Sequence, residues 1–495
     1  MRKFMWVVAV GALVMALAAP AMALDFKFSG DYRIIFASYE NANGANSFGA
    51  VDGAAGGAHQ RDVYLHFRPL FQTSDDNGNI QTVVRLRFGW TRFGDGGGSG
   101  GAPGNAGWTL GVSAARVGPS TGGAVGNRGV NIETNWAYLD FAAPWGLPLR
   151  IRTGFQPLYW HKGILIDDAM AGVRLYGATK PFTYEAAWYR ANGGPATNTA
   201  APTTYPSAAV VSTTTSASYD NNYDFYQFMV GAQLVPWFNP AIDFIYGDNR
   251  QNCTAGSVPP GPCPGANRVR SVFYGGLAVT GKIGIVSYDV DWIYGYADGG
   301  MAGTHGQTAA GGGQREVRGW ALDFGVHFPI GPVTVSPVAA YGTGDSRRTD
   351  SSAFPGGISP SWQGPGGLFE LIGNGGLVDR VGATQSTITN LWVLGLVFEY
   401  RPVKAMYTKF AWGYAGFAKS AGNCAGAAAG TCYGPSYPGR PDKPMVGKSG
   451  IGNELSLRVD YTLYTGFRAQ SSVGWLIPTR GDTAQEYALM LIYQF

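Results

Sequence analysis

Hydrophobic side chains in this chain return at every second position, over segments of about ten residues separated by polar or glycine-rich stretches. In the first such segment Phe26, Phe28, Tyr32, Ile34 and Phe36 share one face, and Lys27, Ser29, Asp31 and Arg33 share the other. Successive side chains of an extended strand point to opposite sides, so a period of two predicts strands. Val84, Leu86, Phe88 and Trp90 oppose Arg85 and Arg87; Leu149, Ile151 and Phe155 oppose Arg150, Arg152 and Gln156. Val286, Tyr288, Val290, Trp292 and Tyr294 oppose Ser287, Asp289 and Asp291, and Trp320, Leu322, Phe324, Val326 and Phe328 oppose Asp323 and His327. Leu455, Leu457, Val459 and Tyr461 oppose Glu454, Ser456, Arg458 and Asp460; the last segment puts Tyr487, Leu489, Leu491, Tyr493 and Phe495 together. A half-buried soluble sheet also alternates. Its polar face, however, carries many Lys and Glu, and its apolar face is not closed at the ends by aromatic rings. Strands that face lipid between aromatic girdles are what a transmembrane barrel requires.

The connections carry a second pattern. Short turns fall at 74–79, 142–148, 178–181, 235–240, 281–284, 329–332, 401–404 and 464–466. Between them lie longer connections at 40–60, 93–131, 157–171, 192–221, 248–267, 297–315, 343–386 and 416–450, with a short one at 478–483 before the last strand. Short and long alternate as periplasmic turns and extracellular loops do. The expected fold is therefore all-β: a transmembrane antiparallel up-and-down β-barrel of 18 strands, both termini in the periplasm. Sixteen strands is the alternative, because the fourth, tenth and sixteenth segments are weakly patterned. Eighteen strands enclose a lumen too wide for strand side chains to fill, so loops must shape any pore.

Composition narrows the class. Charged residues make up 14% of the 495, against about 25% in soluble domains. A wet interior and an apolar exterior cancel to a mean hydropathy of -0.04. No linker or composition break divides the chain. A net charge of +4 is too small to imply a nucleic-acid partner. Met1-Arg2-Lys3, the apolar run from Phe4 to Ala19 and the small residues Ala21 and Ala23 follow the plan of a secretory signal peptide, residues 1–23. Cleavage near Ala23 leaves 24–495 as the barrel, bound for a Gram-negative outer membrane. No later apolar run reaches the ~18 residues of a spanning helix.

The four cysteines fall as Cys253 with Cys263 in one predicted loop and Cys424 with Cys432 in another. In an oxidising compartment each pair is expected to close a small intraloop disulfide. No His stands at zinc-ligand spacing from either pair, so no metal site is expected. The five histidines are dispersed, and His161 ahead of Asp167 and Asp168 is the nearest approach to a catalytic set. The glycine runs 96–98 and 311–313 lie in polar loops with no helix after them and do not cradle phosphate. Neither an enzyme nor a cofactor is expected.

The chemistry lies in the inward charges. The first six strands contribute Lys27, Arg33, Arg68, Arg85, Arg87, Arg150, Arg152 and Arg174 against Asp31, Asp62 and Asp140. Strands seven to fourteen contribute Glu185, Asp243, Asp289, Asp291, Asp323 and Glu399. In a closed barrel the two arcs face each other across water, giving a transverse field that orients polar solutes and ions. The connection 157–171 mixes His161, Lys162, Asp167 and Asp168 with apolar Ile164, Leu165 and Ile166. That mixture is poorly suited to open solvent, and the segment is the candidate constriction loop.

The chain resembles a Gram-negative porin. Its long-loop plan is similar to that of 18-strand substrate channels and, more narrowly, of the alginate-export type. The resemblance rests on Asn135-Trp136-Ala137-Tyr138-Leu139-Asp140-Phe141 followed by the Arg-rich strand through Gly154-Phe155-Gln156, and on Gly452-Asn453-Glu454-Leu455-Ser456-Leu457-Arg458-Val459-Asp460-Tyr461. The terminal Phe495 also resembles the signal read by barrel-assembly machinery. The resemblance implies outer-membrane lipid and that machinery as partners, small hydrophilic solutes as cargo, and room for a homo-oligomer. The expected function is a passive or weakly selective channel. The alternatives are a transporter or exporter of anionic substrates or polymers, and the barrel sheath of an electron-exporting porin–cytochrome complex.

Overall fold

The computed structural model describes residues 25–40, 59–92, 132–192 except 145, 223–249, 271–298, 316–344, 352–373 except 359 and 368, 388–419, 436–437, 440–444, 450–479 and 483–495. The signal-peptide segment, the four cysteines and most of the long connections lie outside them.

The strands are β1 (Asp25–Glu40), β2 (His59–Ser74), β3 (Ile80–Arg92), β4 (Ile132–Ala142), β5 (Leu149–Trp160), β6 (Ile166–Thr179), β7 (Phe182–Asn192), β8 (Tyr223–Ala232), β9 (Asn239–Asn249) and β10 (Ser271–Ile283). Then follow β11 (Val286–Asp298), β12 (Val317–Ile330), β13 (Val333–Gly342), β14 (Leu391–Val403), β15 (Met406–Phe417), a short hairpin of β16 (Ser436–Tyr437) and β17 (Arg440–Pro444), β18 (Gly450–Tyr464), β19 (Phe467–Pro478) and β20 (Ala484–Gln494). Apart from the hairpin, each strand pairs antiparallel with its sequence neighbours in one sheet of 18 strands. The sheet closes where β1 pairs with β20, with Ile34 opposite Leu491 and Phe36 opposite Leu489. Closure removes the unpaired edges that an open sheet of this size would expose.

Alternation sets the two surfaces. Phe28, Phe36, Phe228, Phe244, Trp292, Leu394, Trp412 and Leu489 are exposed on the outside. A continuous exposed apolar band is unstable in water and stable in hydrocarbon. Phe495 completes the seam: its N–H donates to the Gly30 carbonyl at 3.2 Å, and its carbonyl accepts from the Gly30 N–H at 3.0 Å. Its ring lies 5.2 Å from Phe28 and 6.0 Å from Phe67. The tight turns need left-handed backbone, and Gly284 (φ 61°) and Gly331 (φ 61°) supply it.

Two connections differ from expectation. The stretch 157–171 is not a long loop. β5 and β6 pair as far as Trp160 opposite Ile166, leaving a turn of five residues, 161–165. Inward Leu158, Trp160, Ile166 and Met170 are buried, so the apolar residues that made the stretch look like a lumenal loop extend the two strands instead. The connection 343–386 was expected to be one of the long extracellular loops. Of its described residues, those of 352–373 lie inside, with Phe354, Trp362, Phe369, Leu371 and Ile372 almost wholly buried.

Candidate functional site

The lumen has two unlike walls. On β1–β6 the arginines stand in groups around single carboxylates. Asp31 accepts from Arg33 at 2.7 Å and Arg68 at 2.9 Å, and pairs with Arg85 at 3.2 Å. Asp140 accepts from Arg150 at 2.8 Å, Arg152 at 2.7 Å and the Tyr176 hydroxyl at 2.5 Å. Arg87 pairs with Glu133 at 3.3 Å and Arg174 with Glu185 at 2.5 Å. Aromatic rings hold the guanidiniums in place: Arg85 lies 4.4 Å over Trp136 and Arg152 4.6 Å over Tyr138. Seven arginines thus share four carboxylates, a surplus of three positive charges. The carboxylates are mostly covered, while Arg150 keeps 33% and Arg174 26% of its side chain accessible. Lys27 stands apart: it lies at the start of β1, 62% accessible, paired with Asp25. Glu185 belongs with Arg174 on this wall rather than with the acidic arc.

The acidic arc is real as a cluster, but it is capped. His161 Nε2 lies 2.8 Å from Asp243 and Nδ1 2.9 Å from Asp291. Lys162 Nζ binds Asp289, and lies 2.7 Å from Asp323 and 3.3 Å from Asp291. His327 adds a bond to Asp289 at 2.8 Å. The turn that delivers these cations has three successive residues with positive φ, His161 at 49°, Lys162 at 54° and Gly163 at 78°. Left-handed backbone costs a non-glycine residue roughly 1–2 kcal/mol, which the ion pairs offset. Burial opposes charging of His161, but its bonds to Asp243 and Asp291 outweigh that and push it up to about 9. Burial likewise opposes the charge on Lys162, yet Asp323, Asp291 and Asp289 hold it well above the ordinary lysine value. Asp167 and Asp168 do not join this cluster; both are exposed positions on β6.

The inward segment 352–373 packs on the turn and on the wall behind it. Ile358 N–H donates to Leu165 at 2.7 Å, and Ser361 N–H to Gly163 at 3.0 Å. The Trp362 indole donates to Asp323 at 2.9 Å, and the Tyr274 hydroxyl to the Gly356 carbonyl at 2.7 Å. Further along, the N–H groups of Glu370, Leu371 and Ile372 donate to the Glu454 carboxylate at 2.8, 3.2 and 2.5 Å. Lys409 pairs with Glu370 at 3.2 Å.

Strand glycines make the seat. A Cβ at Gly295 would lie 2.6 Å from Pro355, one at Gly395 2.5 Å from the Phe369 ring, and one at Gly413 2.4 Å from it. Glycine within a strand marks the close approach of another backbone or ring. The wall around these positions is apolar, with Tyr189, Phe225, Ile245, Ile293, Val393 and Val397 buried inward. This docking was not anticipated from the sequence, although Phe354, Trp362, Phe369, Leu371 and Ile372 in a nominally polar loop, and glycines at inward strand positions, were its signals.

No protein-family model and no curated protein sequence matches the chain. Solved structures do. The outer-membrane protein OpdK of Pseudomonas aeruginosa superposes with a TM-score of 0.52 at 11% identity, covering 95% of this chain and 98% of its own. The same protein with vanillate gives 0.51 at 11% identity, and OccK2 (OpdF) of that organism with glucuronate gives 0.51 at 10%, each with the same coverage of 95% and 98%. At such identity the likeness establishes the fold: a closed 18-strand barrel of the kind that builds these outer-membrane porins.

Proposed function

We propose that the chain is a Gram-negative outer-membrane channel through which small hydrophilic solutes diffuse, with carboxylate-bearing solutes favoured. The observation that carries the preference is the asymmetry of the lumen. The acidic wall is covered by the turn and by segment 352–373, whereas the arginine wall keeps accessible guanidiniums and a surplus of positive charge. A guanidinium partly shared with an aspartate can exchange to a passing carboxylate, which it recognises with two parallel N–H groups. OccK2 and OpdK were solved with glucuronate and vanillate, both carboxylates, and this chain's arginines suit the same chemistry.

Two other readings gain less support. The alginate-export resemblance rests on the segments around Trp136 and Arg458 alone. A sheath around a cytochrome needs a lumen wide enough for a haem protein, and the described inward segments occupy the β9–β19 side. Reconstitution of the purified chain in planar bilayers tests the proposal. It should conduct, and reversal potentials in a salt gradient should show anion preference. Liposomes should also admit a small sugar acid faster than the neutral sugar of the same size. A chain that inserts without conducting would end the channel reading; conduction with cation preference would end only the carboxylate part.

A further inference from the structure

The outer surface carries a groove beside the seam where the barrel closes. Strand pairing sets Phe36 opposite Val63 and Leu489, and Ser38 opposite Arg61 and Tyr487. All six share the outward parity of Phe28 and Tyr32. Ser38 is the smallest of them, so the middle of the set is left open as a groove of about 530 Å³. Phe36, Tyr487 and Leu489 are exposed along it. Its level in the membrane follows from its neighbours. β1 runs toward the long connection 40–60 and β2 runs back from it, so Ser38 and Arg61 lie near the expected extracellular side. The Trp475 indole donates to the Tyr487 hydroxyl at 3.2 Å, and that hydroxyl donates to Gln485 at 2.8 Å. Such amphipathic rings suit the headgroup level. Phe36 and Leu489 carry the groove on toward the hydrocarbon. Arg61 stands at its headgroup end, exposed and without a partner among the described residues. The outward acid at the end of β1, Glu40, is engaged elsewhere.

We propose that this groove binds a phosphate-bearing anionic lipid of the outer leaflet, with an acyl chain along Phe36, Val63 and Leu489 and the phosphate on the Arg61 guanidinium. A depression in a hydrocarbon-facing surface does not stay empty, because its lining would forfeit dispersion contacts. Water is a poor filling, because the Tyr487 hydroxyl is already bonded on both sides and the remaining wall is chiefly apolar. An acyl chain therefore occupies it. The headgroup is chosen by Arg61, whose planar fork of N–H groups matches phosphate oxygens. A zwitterionic headgroup brings a cation of its own and competes poorly. The rival occupant is a second copy of the barrel. A two-fold contact through this patch would place two Arg61 side chains at one level, which disfavours it. The site rests on the barrel's place in an outer membrane and not on conduction.

Native mass spectrometry of the intact barrel in neutral detergent tests this. The probes are equimolar phosphatidylglycerol and phosphatidylcholine with identical acyl chains, at low salt. Wild type should retain phosphatidylglycerol over phosphatidylcholine by about fivefold, the contribution of one basic side chain at an anionic surface. Arg61→Gln should bring the two lipids to parity. Ser38→Trp, which fills the groove, should reduce retention of both; Ser38→Leu replaces it if the larger side chain does not reach the heat-modifiable barrel. Equal retention of the two lipids by wild type overturns the site. So does a preference that survives Arg61→Gln, or retention that ignores both Ser38 variants. Wild-type dimers that dissociate in the Ser38 variants would assign the groove to a second copy instead. Arg61 and Ser38 face away from the lumen, so a chain that never conducts still answers, and this test and that of the channel fail separately.

Discussion

Lys162 is the residue on which the capped wall depends most. Its Nζ touches Asp289, Asp323 at 2.7 Å and Asp291 at 3.3 Å, and Asp323 is fully buried. Lys162→Met keeps an unbranched chain of similar length and removes the charge. Among the described residues, His161, His327 and the Trp362 indole would then be left to face Asp243, Asp289, Asp291 and Asp323. Stripping one partner from a buried pair costs about 3–5 kcal/mol. Lys162 retains 22% accessibility, so the lower end, about 3 kcal/mol, is appropriate. At about 1.4 kcal/mol per factor of ten, the docked turn loses more than a hundredfold in its equilibrium against the lifted turn. The left-handed strain at His161 and Lys162 works in the same direction. The barrel itself should survive, because its ladders do not pass through the turn. Single-channel recording should show larger or noisier conductance, and the reversal potential should move toward cations as the aspartates become accessible. Lys162→Arg should restore much of the wild-type behaviour. Wild-type conductance together with a wild-type reversal potential in Lys162→Met would refute the assignment of the turn as an electrostatic cap.

Other outcomes follow from the same geometry. Replacing both Arg150 and Arg152 with Gln removes two accessible guanidiniums while Asp140 remains, so permeability should shift toward cations. The shift should shrink between 0.1 and 1 M salt as the Debye length falls from about 10 to about 3 Å. Gly413→Val puts a side chain where the Phe369 ring lies, 2.4 Å from the Cβ position; segment 369–373 should undock and become cleavable by added protease, while the heat-modifiable barrel persists. His161 in the turn is held up to about 9 against an ordinary 6.5. Its contribution to docking, about 3 kcal/mol by the shift, is therefore fully present below about 6.5 and lost as pH rises through about 9. Conductance should change along that alkaline limb in wild type, and the limb should vanish in His161→Gln.

Much of the barrel was legible in the sequence because its two solvents differ. Lipid outside and water inside impose a period of two on most strands, and the eight short turns were placed within a few residues by glycine, proline and asparagine. The charge arcs followed from parity alone: once Phe26 and Phe28 face out, Asp31 and Arg33 must face in. What parity cannot supply is which inward residues meet. Glu185 was grouped with the acids because it follows the arginine strands, yet β6–β7 pairing sets it beside Arg174. Lys27 shares the inward parity and still misses the wall, because it lies at the rim. The inward fold of 352–373 was hidden for another reason. A glycine-rich connection reads as solvent-exposed loop, and its seat is distributed over glycines on β11, β12, β14, β15 and β19 that are far apart in sequence.

Those glycines also explain why the solute path is proposed on one side only. An inward strand position has three chemical uses in a wide barrel: a charge to hold water, an apolar group to receive a docked segment, or no side chain at all to let that segment approach. On β1–β6 the inward positions include seven arginines, and the ion pairs leave some of their guanidiniums open to the lumen. From β9 to β15 they are chiefly apolar or glycine, interrupted by the four aspartates that bind the turn. An apolar wall left wet would cost about 25 cal/mol for each Å² exposed, so that wall requires a cover, and the turn and segment 352–373 provide it. The arginine wall needs none. On the proposed function, covering the apolar wall with the protein's own chain would narrow the route and bring solutes past the arginines. A wide barrel can thereby select for charge without a dedicated binding pocket.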